Sequence, residues 1–157
     1  MDRGELRAIG PGAARERDLD LLLLADESAA QVASCLLLGD LPMLEDATGG
    51  ALGLTLALYD GSEAELKAAA ARPNRQGQGI GKRTIALVLA RLRVQDIRRV
   101  TVATGNSGFA PLALYQKCGL RLARIERDFF SPERGYPEGM EENGILLRGR
   151  VWLDRAL

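Results

Sequence analysis

The sequence predicts a mixed α/β fold, with strands and helices interleaved in one domain over residues 1–157. Three patterns predict it. Leu52, Leu54, Leu56 and Leu58 alternate with small residues and Thr55, the period-two signature of a strand. Ile85, Val88, Leu89 and Leu92 fall at i, i+3, i+4 and i+7, the apolar stripe of a helix. Downstream, an apolar run through Val100 and Val102 and a helical run from Pro111 to Cys118 repeat the strand–helix order.

Taken in order, Arg17 to Leu38 reads as one or two helices. Leu19, Leu22, Leu23, Val32 and Leu36 sit at helical spacings, and Asp26-Glu27-Ser28 marks a break. Asp46-Ala47-Thr48-Gly49-Gly50 is a turn before the leucine strand, which Asp60-Gly61-Ser62 closes with a hairpin signal. Glu63 to Ala71 is a conflict. Propensity alone makes it a helix, whereas its place between a hairpin turn and a glycine-rich loop makes it a strand, and strand is the assignment. Arg99 to Thr104 is a buried strand, and Thr104-Gly105-Asn106-Ser107 a turn and cap. Pro111 then stands in the first turn of a helix that Gly119 closes. Leu120, Leu122 and Ile125 begin a strand. Another spans Ile145 to Leu153, after a loop rich in Pro, Gly and Glu.

Composition removes several functions. The 21 basic and 21 acidic residues cancel, which argues against a nucleic-acid field over the whole chain. Arg91-Leu92-Arg93 with Arg98-Arg99 is at most a local patch, and a solvated helix end explains it more simply. Leu21 to Leu24 is too short to span a bilayer, so no membrane partner is expected. Asp2, Arg3, Glu5 and Arg7 occupy the region where a signal peptide needs its apolar core, and the expected location is the cytoplasm. Cys35 and Cys118 are isolated, with neither disulfide nor zinc spacing. Histidine is absent, which removes Ser-His-Asp and Cys-His catalysis and most metal sites. No metal is expected. Acid–base work falls to carboxylates, Tyr, Lys, Cys or water.

The most informative stretch is Gln76-Gly77-Gln78-Gly79-Ile80-Gly81-Lys82, directly before the helical stripe. Glycine lets a ligand approach the backbone, and the first N–H groups of a helix lack internal partners, so the loop suits a phosphate or pyrophosphate. A flexible turn opening an ordinary helix is the alternative. It is not a P-loop, because Gln76 stands where glycine is needed and Arg83 where Ser or Thr should hold Mg²⁺. It is not a dinucleotide fingerprint, because Lys82 replaces the third glycine. What remains, Gln-x-x-Gly-x-Gly, resembles the acetyl-CoA pyrophosphate loop of the GNAT superfamily of N-acetyltransferases.

The segment from Asn106 to Leu120 carries the resemblance further. It is similar to the second GNAT signature, an Asn before a helix ending Leu-Tyr-x-Lys-x-Gly-Phe, with Leu120 in place of Phe. Arg124 to Phe130 and Glu142 to Ile145 look like the ending of a bacterial subgroup labelled IAA acetyltransferase-like. The chain departs from that subgroup at Gly149-Arg150, where Asp-Met is expected, and at Ala68 to Ala71, where Asn-Ile-Ala-Val is usual. Those departures bear on the acceptor pocket.

The resemblance implies a GNAT-like fold: a central, mostly antiparallel sheet flanked by helices, its fourth and fifth strands splayed to admit pantetheine. Here those strands are about Glu65–Ala71 and Arg99–Thr104. Acetyl-CoA would be held by Ala69, Ala70 and Ala71, by Gln76, Gly77, Gln78, Gly79, Ile80, Gly81 and Lys82, and by Asn106, Tyr115 and Lys117. Backbone groups of Ala69 and Ala71 would pair with the pantetheine amides, and a strand N–H would polarise the acetyl carbonyl. Tyr115 would protonate the leaving sulfur, since a phenol with pKa near 10 keeps its proton at neutral pH; helix packing is its alternative role. Asn106 would bond the pantetheine arm, or cap the helix, or both. Lys82 either adds charge near phosphate or is simply solvated. Glu65 would be the base that frees the amine, against a plain surface role.

The implied activity is direct acetyl transfer from acetyl-CoA to a primary amine of a small molecule or peptide. A catalytically weak acyl-CoA-binding sensor is the alternative. The expected partner is that amine, with no nucleic acid and no membrane, and a homodimer stays open.

Overall fold

The computed structural model describes Glu5–Ile9, Asp20, residues 39–48 and residues 50–157. The expected helices from Arg17 to Leu38 lie outside the described residues, Asp20 excepted.

Nine strands, two α-helices and two single-turn 3-10 helices, Pro73–Arg75 and Pro132–Arg134, are described. The strands are β1 (Glu5–Ile9), β2 (Leu41–Glu45), β3 (Ala51–Asp60), β4 (Glu63–Ala71), β5 (Arg99–Gly105), β6 (Arg121–Glu126), β7 (Glu141–Glu142), β8 (Ile145–Leu146) and β9 (Arg150–Ala156). Helix α1 (Ile80–Val94) joins β4 to β5, and α2 (Phe109–Lys117) joins β5 to β6. The main sheet runs β1-β2-β3-β4-β5-β9-β6 and is antiparallel throughout except for the parallel pair β4–β5. β7 and β8 form a separate hairpin.

Glu63–Ala71 is a strand, as its position between turn and loop requires. Tertiary pairing overrides a helix preference worth only tenths of a kcal/mol per residue. Three strands were not anticipated: β1 lies in the charged N-terminal segment, β2 is too short to show a period, and the two-residue β7 lies in the stretch read as a loop rich in Pro, Gly and Glu. The expected strand over Ile145–Leu153 is corrected. It divides into β8 and β9, because residues 147–149 leave the ladder to bond Met140 and Asn106.

The core lies between the sheet and the two helices. Ala64 and Leu66 of β4, Val100 and Val102 of β5 and Leu153 of β9 meet Ile85, Val88, Leu89 and Leu92 of α1 and Tyr115 of α2. All four residues of the α1 stripe are buried. Both helices end in a Schellman motif, in which the residue after the left-handed position bonds back to the last turn. In α2, Leu120 N bonds Tyr115 O at 3.0 Å and Gly119 N bonds Gln116 O at 2.9 Å, with Gly119 at φ +84°. In α1, Asp96 takes the left-handed position at φ 58°, and Ile97 N bonds Leu92 O at 3.1 Å. The turn at Asp46 is held by its own carboxylate, which accepts from Thr48 N and Gly50 N, each at 2.9 Å.

The start of α1 rests directly on β3. A Cβ on Gly53 would stand 2.9 Å from Thr84 Oγ1 and 3.1 Å from Ile80 Cγ2. Thr84 Oγ1 is itself committed to Ile80 O at 2.9 Å and cannot easily yield. Gly53→Val should therefore destabilise the protein by about 1–3 kcal/mol through overpacking, read as a lowered denaturation midpoint with an unchanged m-value. An unchanged midpoint would show that the helix start is not seated there.

Candidate active site

The site begins where β4 and β5 separate. The two strands pair from Glu63↔Arg99 to Leu66↔Val102 and no further. Lys67 is the extra residue of a bulge in β4, since Leu66 faces Ala57 of β3 and Ala68 faces Leu56. β5 instead continues along β9 as far as Gly105. The β5-facing edge of β4 thus has no strand partner from Lys67 to Ala71, and a cleft of about 590 Å³ opens there.

One wall of the cleft is β4, where Ala69, Ala70 and Ala71 keep side chains short enough for a ligand to reach the backbone. Its floor is the start of α1. Gly79 caps that helix in the left-handed conformation, φ 78°, with no side chain serving as cap and no acidic residue in the first turn. The N–H groups of Ile80, Gly81 and Lys82 are left pointing out of the helix, the arrangement that receives a phosphate. Space around Gly77 and Gly79 is open: a Cβ at either would meet nothing within 4 Å. The opposite wall is α2, through Ala110, Pro111, Ala113, Leu114, Tyr115 and Lys117. Gly81 also lets the helices approach, because a Cβ there would touch Leu114 at 3.3 Å.

The expected site residues mostly converge. Ala69, Ala70, Ala71, Gln76, Gly77, Gly79, Ile80, Gly81, Lys82, Tyr115 and Lys117 all line the cleft. Gln78 does not; it is exposed and its amide turns back to Asn74 O at 3.4 Å. Gln76 lines the cleft with its amide on Ala71 O at 3.3 Å. Sequence reasoning passed over Arg75, which adds a cation beside the glycines. Its place immediately before Gln-x-x-Gly-x-Gly was the available signal.

Asn106 departs from expectation. It does not cap α2, whose N-cap is Gly108 with no side-chain bond. Its Oδ1 accepts from Arg148 N at 2.8 Å and Gly149 N at 3.2 Å, and its Nδ2 donates to Leu146 O at 3.1 Å. Asn106 therefore latches the segment between β8 and β9 to the end of β5. Asn143 adds a bond from Nδ2 to Ser107 O at 2.8 Å. The Gly149-Arg150 departure also has a physical reason. A Cβ at Gly149 would stand 2.7 Å from Glu126 O, so no side chain fits. Arg150 lies 3.6 Å over the Phe129 ring and donates to Glu126 Oε2 at 2.7 Å. Trp152 Nε1 bonds the same oxygen at 3.0 Å. The Trp152 and Arg150 bonds hold the Glu126 carboxyl below its ordinary pKa.

Tyr115 is 6% exposed, and burial pushes its phenol up to about 12, the Cys118 thiol adding to the shift. Glu65 does not line the cleft. It alternates with Ala64 and Leu66, both buried against the helices, and so stands on the other face of the sheet, 3.7 Å from Lys67 Nζ. Tyr115 and Glu65 thus flank the fork from opposite faces.

A parallel strand pair that parts beside the bare N-terminus of a helix, with a buried phenol on the far wall, makes a cleft suited to an extended, phosphate-bearing ligand. The family comparison agrees: residues 15–120 match the Acetyltransferase (GNAT) family. The chain belongs to that family. It is similar, at 32% identity and TM-score 0.86, to the structure of an IAA acetyltransferase from Bacillus cereus, over 98% of this chain and 99% of that one. It is also similar to a GNAT acetyltransferase from Elizabethkingia anophelis with acetyl-CoA bound, at 30% identity and TM-score 0.85, over 97% and 98%. YvbK of Bacillus subtilis, an uncharacterised N-acetyltransferase, is 37% identical over 87 residues, a match spanning 54% of this chain and 55% of that protein.

Among the described residues no helix is long and apolar enough to cross a membrane, and no cluster of His, Cys, Asp or Glu could hold a metal.

Two substitutions separate the cleft from its latch. Gly79→Val forces a β-branched residue into φ 78° and puts its side chain into the open space beside the first turn of α1. Calorimetry should show acetyl-CoA affinity at least about tenfold weaker in a protein that still folds. Asn106→Ala leaves three backbone groups of the latch unpaired. It should cost about 1–3 kcal/mol of stability while acetyl-CoA affinity stays within about twofold. A large affinity loss in Asn106→Ala would put its amide on the cofactor arm instead.

Proposed function

We propose that this chain is an N-acetyltransferase that uses acetyl-CoA and a primary amine of a small molecule or peptide, by direct attack of the amine on the thioester. The observation that carries the reading is the fork: the cleft opened along the unpaired edge of β4 is lined by Tyr115, and Glu65 stands on the opposite face of the sheet, two residues before that edge begins at Lys67. The bound donor supplies an activated acetyl group, and the chain supplies position and protons.

The residues fit that donor. The unpaired β4 edge offers N–H and C=O groups to an extended amide-bearing arm, as an added strand would. The first turn of α1, with Arg75 and Lys82 beside it, offers donors and positive charge to a diphosphate. Tyr115 holds a proton for the departing sulfur, and burial keeps it there. Glu65 is the group that takes the proton of the amine, directly or through water, from the open face of the sheet. Its ion pair with Lys67 keeps it beside the bulge.

A panel of amines with thiol release as readout tests the activity. Turnover on at least one amine is expected; tight acetyl-CoA binding with none would favour the sensor reading. Tyr115→Phe should lower turnover by about a hundredfold to ten-thousandfold and leave acetyl-CoA affinity near wild type. The pH profile carries a second check. Because its folded pKa is raised to about 12, Tyr115 keeps its proton below that point and loses it only as pH rises through it. The wild-type rate should rise as the amine deprotonates and show no falling limb below about pH 11. Nearly full turnover in Tyr115→Phe, with chemistry limiting, would leave Tyr115 a packing residue.

A further inference from the structure

β6 closes one edge of the main sheet, and no strand among the described residues lies beyond it. That side offers its N–H and C=O groups to a further strand. Five of the six residues of β6 are exposed, including Leu122 at 60% and Ile125 at 70%.

The alternation of β6 is broken once. Leu122 stands opposite Leu153, the register then slips, and Arg124, Ile125 and Glu126 stand opposite Trp152, Val151 and Arg150. Ala123 is the extra residue of that bulge. Leu153 is buried in the core under α1 and α2, so Leu122 opposite it belongs to the helix face. Ile125, opposite Val151 two residues along β9, belongs to the same face. Arg121, Arg124 and Glu126 take the other face. There the Arg124 guanidinium lies 4.5 Å over the Trp152 ring, and Glu126 Oε2 accepts from Arg150 and Trp152. Without the bulge, positions 122 and 125 would fall on opposite faces, as would 121 and 126.

With the bulge, β6 is complementary to itself. Turned end for end about Ala123-Arg124, it sets Leu122 against Ile125 on the helix face and Arg121 against Glu126 on the other. It also leaves Arg124 opposite the small Ala123. Every neighbouring register is worse. One step either way lays Arg124 against Leu122 or against itself, and two steps lay it against Arg121 or Ile125. Arg121 has no ion pair among the described residues, and the described bonds of Glu126 all fall on Oε2. Opposite charges and apolar pairs facing each other across strands stabilise a ladder, whereas like charges oppose it.

We propose that β6 is the contact surface for a second copy of this chain, joined antiparallel, β6 to β6, about a two-fold axis at Ala123-Arg124. Backbone pairing extends one sheet into the other. Leu122 packs on Ile125 of the partner subunit, and Arg121 pairs with Glu126 of the partner subunit, each contact made twice by symmetry. A bulge ordinarily guards an edge; here the two-fold sets it against its own copy, and the strands stay in step on both sides. Self-complementarity is what assigns the edge to a second copy rather than to a different protein. β9 and β5 separate β6 from the fork, so the cleft stays open and the proposal does not depend on the reaction carried there.

The test is sedimentation of wild type, Leu122→Glu, Ile125→Lys and an equal mixture of the two variants. Both side chains are exposed in the single chain, so neither change touches the core. One strand per chain is a small interface, and wild type should pass reversibly from one chain mass to two as concentration rises. Each variant puts a charge on the apolar pair twice per dimer and should raise the dissociation constant at least about tenfold. In the mixture the new carboxylate meets the new ammonium at one pair, while leucine still meets isoleucine at the other. A mixed dimer of near wild-type affinity, weakened by salt, is expected. Hydrogen exchange reads the wild-type edge without any substitution: β6 amides should slow as concentration rises, and β1 amides at the other edge should not. A wild type that stays a single chain up to about 1 mM overturns the proposal. Variants that dimerise like wild type, a mixture no tighter than its components, or slowing at β1 in place of β6 each overturn it as well.

Discussion

A parallel strand pair that holds together for only a few residues governs the site. From Leu66↔Val102 onward β5 follows β9, while β4, kinked by its bulge at Lys67, follows β3. Each strand keeps one partner and gives up the other. Backbone donors and acceptors left without partners and away from water are costly, so the fork is tolerated where a ligand or solvent can satisfy them. The same gap leaves room for the bare first turn of α1, whose N–H groups are unsatisfied for a different reason. One geometric event thus places amide-pairing groups and phosphate-binding groups along a single cleft.

With no histidine in the chain, the titratable groups near the cleft are a phenol, carboxylates, lysines and a thiol. Desolvation on the helix side of the sheet pushes the Tyr115 phenol up to about 12, further above neutral pH than an ordinary phenol. Glu65 owes its place on the opposite face to strand alternation, with Ala64 and Leu66 turned into the core. The two groups stand on opposite faces of the sheet, Tyr115 on the helix side and Glu65 on the other. Charge is arranged with the same economy. Arg75, Lys82 and Lys117 bring positive charge to a cleft whose lining also includes Ala69, Ala70, Ala71 and the Tyr115 phenol.

The segment after β6 is tied down rather than free. Asn106 and Asn143 fasten it to the turn before α2, and Glu126 gathers Arg150 and Trp152, with Arg150 stacked on the Phe129 ring. Phe129, Phe130 and Tyr136 pack edge-on or tilted against one another, with ring centroids 4.9–5.8 Å apart. Gly149 and Arg150, which differ from the related subgroup, are therefore explained by backbone crowding and by stacking.

The sequence by itself determined the glycine loop, the α1 stripe, the α2 signature with its Gly119 ending, and most residues that line the cleft. These are local: glycine freedom, a 3.6-residue period and a capping turn act within a dozen residues of chain. Whether Glu63–Ala71 would be strand or helix was settled in the sequence only by its neighbours, and in the molecule by pairing on both sides. Only the tertiary structure decided the rest. The role of Asn106 depends on residues some forty positions away, the fit of Gly149 on the carbonyl of Glu126, and the bond to Cys118 O on Arg155 crossing from β9 to the end of α2. Contacts of that range leave no period and no spacing in a single sequence, because they arise only when the sheet brings distant strands side by side.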